Sequence, residues 1–210
     1  FLLIGSGAAF VLSKTKLSFW YKNIYKLNFI TTSLLVLTMT PLGLSVKGSQ
    51  RWLDLGAFSI QPGEFVKYTV MIAAISYFNN WLKYSRNDKL LYALNLIVPL
   101  GVLIVQPDFG TFGITALLIA FICFLSDFPR KLFYSAFILG AAGGIGILIS
   151  APYRVKRLLV FMNPWADPRG DGFQIIQSFM AFANGHIFGQ GIGNSHEKLF
   201  YLPEMYNDFI

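Results

Sequence analysis

Glu204 and Asp208, four residues apart in Leu202-Pro-Glu-Met-Tyr-Asn-Asp-Phe-Ile210, are the pair whose type and spacing suit acid–base work. If Asp208 opens a helix, its carboxylate sits at the positive end of the helix dipole, where the ionised form is favoured. An ionised carboxylate held there can take a proton from a hydroxyl. The ordinary alternative is a loop aspartate facing water. Two further charges stand where charges are costly. Lys67 falls one turn into an apolar run, three residues after Glu64, and Asp108 lies in the turn between two other runs. Ionised groups at such depth need compensation. A Lys67–Asp108 ion pair would supply it. The alternative is a Lys67 that stretches to the headgroups and pairs with nothing specific. The glycines of Gly189-Gln-Gly-Ile-Gly193 have the composition of a phosphate loop, but no strand precedes them and a turn is the better reading.

The elements that must position these groups are apolar. The 210 residues are 55% hydrophobic and 13% charged, with a mean hydropathy of +0.56, against a charge fraction of about 25% in soluble domains. Six apolar segments stand out: Phe1–Ser13 (cut short), Phe29–Val46, Phe65–Leu82, Leu90–Gln106, Phe109–Ser126 and Leu132–Ala151. Their lengths are near the roughly 20 residues a spanning helix needs. Backbone groups in hydrocarbon must be satisfied within the segment, which predicts helix throughout. Gly140-Ala-Ala-Gly-Gly-Ile-Gly146 offers small residues for close packing. The expected fold is all-α: a polytopic transmembrane bundle over residues 1–151, then a long extracytoplasmic loop and the start of another helix over 152–210. The start at Phe1, inside an apolar run, reads as an internal piece of a longer chain.

The net charge of +7 is unevenly spread. Lys14, Lys16, Lys22 and Lys26, then Lys83, Arg86 and Lys89, then Arg130 and Lys131 fall in alternate linkers, opposed only by Asp88 and Asp127. Alternate linkers face one side, and the positive-inside rule makes that side cytoplasmic. The cations assigned to the other side, Lys67 among them, are matched by acids, so the charge reports topology rather than nucleic-acid binding. Arg154, Lys156 and Arg157 are cations on the outer side. One cysteine, Cys123, and two histidines, His186 and His196, exclude a disulfide framework and give no metal motif. Whether a divalent cation is used is left open.

The outer linkers differ in length. Lys47–Glu64 reads as a medium loop, Gln106-Pro-Asp-Phe-Gly110 as a turn between helices, and the segment from Pro152 as a long, aromatic-rich loop too apolar for disorder. Within it, Tyr153–Met162 and Gln174–Ala183 read as short helices at the membrane interface.

Four stretches, taken in order, resemble the SEDS family (shape, elongation, division and sporulation). They are Lys47-Gly-Ser-Gln-Arg-Trp-Leu-Asp-Leu-Gly56 with Gln61-Pro-Gly-Glu64; Gln106-Pro-Asp-Phe-Gly-Thr111; Asn163-Pro-Trp-Ala-Asp-Pro168 through Gln174-Ile-Ile-Gln-Ser178 to Gly189-Gln-Gly-Ile-Gly-Asn-Ser195; and Tyr201-Leu-Pro-Glu-Met-Tyr-Asn-Asp-Phe-Ile210. The wording is nearer the division branch than the elongation branch. Two positions depart from the family pattern: Gly63 stands where Ser is usual, and Met205-Tyr-Asn207 replaces a histidine-containing triplet. The resemblance implies that the chain covers the second to the seventh of the family's transmembrane helices, the large outer loop and the start of the eighth.

It further implies polymerisation of lipid II into glycan strands for septal wall synthesis, by inverting glycosyl transfer on the outer face of the bacterial cytoplasmic membrane. In that reading Asp208 is the general base that deprotonates the acceptor hydroxyl, and Glu204 holds a water, a sugar hydroxyl or a metal. The leaving undecaprenyl diphosphate calls for cations, drawn from Arg51, Lys67, Arg154, Lys156 and Arg157, with Arg51 and Arg154 preferred for the fork a guanidinium offers. The implied partners are lipid II, the growing glycan, the bilayer, a class B penicillin-binding transpeptidase and other division-machinery membrane proteins. A lipid II flippase and a non-catalytic scaffold for a transpeptidase are the alternatives. The first would gather essential charges near the bilayer midplane, whereas here they gather at one surface.

Overall fold

The computed structural model describes residues 2–46, 49–56, 58–191 and 194. It packs as two units, residues 1–137 and 138–210.

In the first unit, α1 (Leu2–Ser13) and α2 (Leu17–Leu37) precede a small sheet of β1 (Gly43–Val46), β2 (Ser49–Asp54) and β3 (Ser59–Ile60). Helices α3 (Pro62–Asn79), α4 (Arg86–Val105), α5 (Phe109–Leu125) and α6 (Arg130–Ile149) follow, the last passing into the second unit. The helix starts obey local chemistry. Pro62 occupies the first turn of α3, where a missing N–H costs nothing. Ser85 caps α4: its hydroxyl accepts from the Asp88 amide at 3.3 Å and donates to the Asp88 carboxylate at 2.7 Å. Asp108 caps α5 by accepting from the Thr111 amide.

Helix α3 is the hub, packing against α2, α4 and α5. Val66, Val70, Ala73 and Ala74 are fully buried there, and the core continues through Ile24, Leu35, Leu96 and Leu103. Aromatic rings close one end: Tyr25 stacks on Tyr92 at 3.9 Å between centroids, and Trp81 packs edge-on against Phe128 at 4.8 Å.

A polar network crosses this apolar interior. Pro99, buried inside α4, has no N–H, so the Asn95 carbonyl one turn earlier lacks its helical partner. Asn28 of α2 fills the gap, its amide donating to Asn95 O at 2.7 Å and Asn95 Oδ1 at 2.8 Å. Thr69 of α3 donates to Asn28 Oδ1 at 2.9 Å, and Asn95 Nδ2 donates to Tyr25 O at 3.2 Å.

Two expectations are corrected. The segment Phe29–Val46 is not one helix: α2 begins earlier, taking in Lys22 and Lys26, and ends at Leu37. The chain then turns through Pro41 into β1, and a Cβ at Gly43 would collide with the Thr38 carbonyl, so the turn requires glycine. The fold is mostly helical, as expected, but with an addition. The expected loop after Val46 carries an antiparallel sheet of order β1-β2-β3, with Leu44 opposite Trp52 and Leu53 opposite Ile60. Its second turn is set by Asp54 Oδ1, which accepts from the Gly56 amide at 2.8 Å, and by a φ of +78° at Gly56.

In the second unit, α7 (Pro152–Met162) leads through a 3-10 turn, Pro164–Ala166, to α8 (Phe173–Gly185). Helix α7 is strongly amphipathic, with Arg154, Lys156 and Arg157 on a helix that also carries Leu158, Leu159, Phe161 and Met162. It packs on the 3-10 turn, which in turn packs on α8.

Among the described residues two helices, α4 and α6, are long and apolar enough to cross a membrane, and α5 is apolar but shorter. Only 6% of the most apolar stretch of α6 is buried. Phe137, Ile138, Leu139, Ile145 and Ile149 of that helix are all exposed. An apolar surface of this extent is not that of a water-soluble monomer.

Candidate functional site

Strand β2 meets the α4–α5 turn through a compact polar node. Ser49 Oγ donates to the Gln106 carbonyl at 2.9 Å, and Arg51 Nε donates to Ser49 Oγ at 2.8 Å. Arg51 Nη2 donates to the Pro107 carbonyl at 2.6 Å, and Nη1 stands 3.7 Å from Asp108 Oδ1. The Asp108 side chain is 6% exposed, so its charge is compensated on one side by the guanidinium and on the other by the α5 amide. Gln106, also buried, ties the end of α4 to α2: its amide donates to the Leu35 carbonyl at 2.9 Å and to the Thr38 hydroxyl. Its Oε1 has no hydrogen-bond partner among the described residues.

Gly63 at the start of α3 backs onto this node. A Cβ there would stand 3.7 Å from Asp108 Oδ2 and 3.6 Å from Thr111 Cγ2, ordinary contact distances. A serine fits at this position, so the glycine is not sterically required.

The Lys67–Asp108 pair is replaced by two others. Lys67 Nζ pairs with Glu64 at 2.8 Å, one turn back on the same helix, while Asp108 is engaged by Arg51. The reason is proximity: residues three apart on a helix share a face, and the α5 cap commits Asp108 to the turn. Since the Glu64 side chain is 50% exposed, Lys67→Ala is expected to lower stability by less than ~1 kcal/mol, measured by thermal unfolding in detergent. A loss of twice that would show that Lys67 compensates a buried charge after all. Arg51→Ala, by contrast, removes a guanidinium holding three polar partners and is expected to cost about 2 kcal/mol. Arg51→Lys should recover less than half of that, because an ammonium cannot span the Ser49 hydroxyl and the Pro107 carbonyl as a fork does.

In the second unit the cations are differently engaged. Arg154 reaches back to the Ile147 carbonyl and donates to Ser150 Oγ at 3.1 Å, and its Nε is 3.1 Å from the Tyr153 hydroxyl. It therefore caps the end of α6. Lys156 pairs with Asp171, which accepts a hydrogen bond and holds the ammonium pKa above its ordinary value. Asp171 is set in place by Asp167, whose Oδ1 accepts from the Gly170 amide at 3.0 Å and Oδ2 from the Asp171 amide at 3.2 Å. Arg157 is exposed on α7. Glu204 and Asp208 lie outside the described residues, as do Lys47 and Gly193, while Gly189 and Gly191 take positive φ of 70° and 89°.

The structure thus joins Arg51 to Asp108 and Lys67 to Glu64 within the first unit, and places Arg154, Lys156 and Arg157 on α7 in the second. Sequence reasoning missed Ser49 and Gln106, which complete the Arg51 node, although both lie within the quoted motifs. It also missed the Asn28–Asn95 network. The available signal was an asparagine four residues before a proline inside an apolar run.

The model of the FtsW, RodA and SpoVE cell cycle proteins matches residues 1–210. The chain is 37% identical over 209 residues to the probable peptidoglycan glycosyltransferase FtsW of Buchnera aphidicola, covering 96% of this chain and 58% of that protein. It is 38% identical over 185 residues to the stage V sporulation protein E of Bacillus subtilis, covering 84% of this chain and 50% of that one. A solved chain, from a peptidoglycan synthase complex that coordinates polymerization and crosslinking, superimposes with a TM-score of 0.66 at 28% identity, covering 89% of this chain and 56% of that one. The chain therefore spans about half the length of the curated relatives it matches. The match over every residue and the shared helical fold agree: this chain belongs to the FtsW, RodA and SpoVE family.

Proposed function

We propose that this chain is the larger part of the membrane core of a peptidoglycan glycosyltransferase that polymerises lipid II on the outer face of the bacterial inner membrane. The observation that carries this is the identity of 37% across 96% of the chain to a protein named for that activity. The exposed apolar faces of α4 and α6 support the membrane setting. The positive linkers support an orientation with β1–β3 and α7 outward.

In this reading the acceptor sugar's 4-hydroxyl attacks the anomeric carbon of the donor, the glycosidic bond forms on the opposite face, and undecaprenyl diphosphate departs with the bonding pair. Asp208 takes the hydroxyl proton and Glu204 orients the acceptor. The diphosphate needs cations whose donors are available. Arg51 already holds Pro107, Ser49 and Asp108, which makes it a positioning residue that fixes the α4–α5 turn against the sheet. Arg154 is similarly spent on the end of α6. Arg157, exposed on α7, has donors to offer a phosphate in the second unit, and in the first unit Lys67 need only exchange an exposed Glu64. Similar identity to a division protein and a sporulation protein leaves the septal assignment resting on the wording of the motifs at Asn163 and Gly193. A transpeptidase partner is supported by the solved complex that the fold matches.

The test is the fate of the donor. Full-length protein in vesicles with labelled lipid II should release undecaprenyl diphosphate. Lipid II that crosses the bilayer intact, with no diphosphate released, would favour transport over synthesis.

A further inference from the structure

In the second unit α6 runs to Ile149 and α7 starts at Pro152, so two residues join them. Ala151 between them is extended, with φ −136° and ψ 115°, and Pro152 has no N–H to carry the α6 ladder onward, so α7 takes a new direction. Arg154, in the first turn of α7, fixes the junction by donating to the Ile147 carbonyl and to Ser150 Oγ. Helix α7 has 11 residues, about 16 Å at the helical rise, too short for the roughly 30 Å of a hydrocarbon core. Val155, Leu158, Leu159 and Met162 recur at the spacing of one stripe, and Leu158, Leu159 and Met162 are 45%, 60% and 74% exposed. At about 100° per residue, Arg154 and Lys156 fall on the two flanks of that stripe and Arg157 on the opposite face. We infer that α7 lies flat in the headgroup layer of the outer leaflet, its apolar stripe among the upper acyl chains, and that Lys156 holds the phosphate of an anionic phospholipid.

The junction with α6 says what covers this stripe. Helix α6 is long and apolar enough to cross a membrane, and in the membrane setting proposed above, on which this inference rests, its last turn stands at the outer bilayer surface. Helix α7 is tied to that turn, so its apolar stripe starts at the level where headgroups give way to hydrocarbon. The charge pattern fits the same occupant. Helix α7 carries three cations and no acid, complementary to a layer of phosphates. Cations on both flanks of a stripe lay their stems along apolar surface and their heads at the phosphate level. Arg154 is held to the end of α6 and acts as a positioning residue for α7. Lys156 has the freedom to exchange partners: its side chain is 65% exposed, and that of Asp171, which it pairs with, is 49% exposed. A pair so open to solvent is weak, and a lipid phosphate can share or replace the carboxylate.

The experiment places an environment-sensitive fluorophore on single cysteines in the full-length protein, its native cysteines replaced by alanine, in phospholipid vesicles. Leu159→Cys reports the α7 stripe, and Leu139→Cys, on an exposed position of α6, reports the bilayer around that helix. Quenchers are phosphatidylglycerol and phosphatidylcholine that carry a nitroxide high or low on the acyl chain, and iodide in the water. The label at 159 should be quenched by the shallow nitroxide and spared by iodide, and the label at 139 by the deep one. At equal mole fraction, the phosphatidylglycerol quencher should act on 159 about fivefold more strongly than the phosphatidylcholine one, the enrichment that one cation at a headgroup gives. Lys156→Gln, which removes the charge and keeps the length, should cut that preference by more than half and leave the depth unchanged. Quenching of 159 by iodide would overturn the proposal in favour of an α7 standing in water. A label at 159 that neither lipid nor iodide reaches would overturn it in favour of a protein cover. Equal quenching by the two headgroups, or a preference that survives Lys156→Gln, would overturn the phosphate site. A label at 139 that no lipid quencher reaches would instead remove the membrane setting of α6, and the placement of α7 with it.

Discussion

Asp208→Asn in the full-length protein is expected to reduce glycan polymerisation by about 100- to 10,000-fold, the range that general bases supply, while expression, membrane insertion and melting temperature stay at wild-type values. The exchange keeps the shape and removes only the ability to accept a proton. The acceptor hydroxyl is a poor nucleophile until it is deprotonated. Lipid II binding should persist, since in the proposed mechanism cations, and not this carboxylate, hold the donor's diphosphate. Asp208→Glu should retain partial activity, because the base survives at a shifted position. Measured polymerisation rates decide the matter, and an Asp208→Asn protein that polymerises normally would remove Asp208 from the role of base. Glu204→Gln should be milder, consistent with orienting rather than deprotonating.

The largest expected loss of stability lies at Asn28. Asn28→Leu should cost about 2–4 kcal/mol, seen as a lower melting temperature or faster unfolding in denaturing detergent. Asn28 is fully buried and makes two donor bonds to Asn95 and one acceptor bond from Thr69. Without it the Asn95 carbonyl is orphaned, because Pro99 has no amide to offer it and no water enters hydrocarbon to replace it. The second half of the prediction isolates the cause. In a Pro99→Ala background the new amide can bond the Asn95 carbonyl, so the same Asn28→Leu change should cost clearly less. Equal costs in the two backgrounds would show that the network does not serve the proline and that Asn28 acts by packing alone.

How much of this was legible in the residues differs by element. The helical segments were visible because hydrocarbon forces long apolar runs into helix, and α3 to α6 begin or end within a few residues of the expected limits. The start of α2 was not, since Lys22, Asn23, Lys26 and Asn28 dilute the apolar signal; only the folded core shows that Ile24 and Asn28 are buried. The sheet was invisible for a different reason. Its strands are short, its apolar residues few, and its register depends on a turn at Asp54–Gly56 and on Arg51 being anchored to Pro107, which lies more than fifty residues away. Pairing of charges was the weakest inference. Lys67 and Asp108 are both deep and opposite in sign, which makes a pair plausible, but spacing along the chain says nothing of which helix faces which. The structure gave Asp108 to Arg51, and left Lys67 with its neighbour Glu64. The motifs themselves were the most informative feature, and the family match over all residues agrees with them.

The most direct test of glycosyl transfer as the activity is to incubate purified full-length protein with lipid II alone, no transpeptidase or second polymerase present, and resolve the products by length. The account predicts a ladder of uncrosslinked glycan strands that lengthens with time. Lipid II that remains monomeric while the same preparation moves it across vesicle bilayers would contradict it.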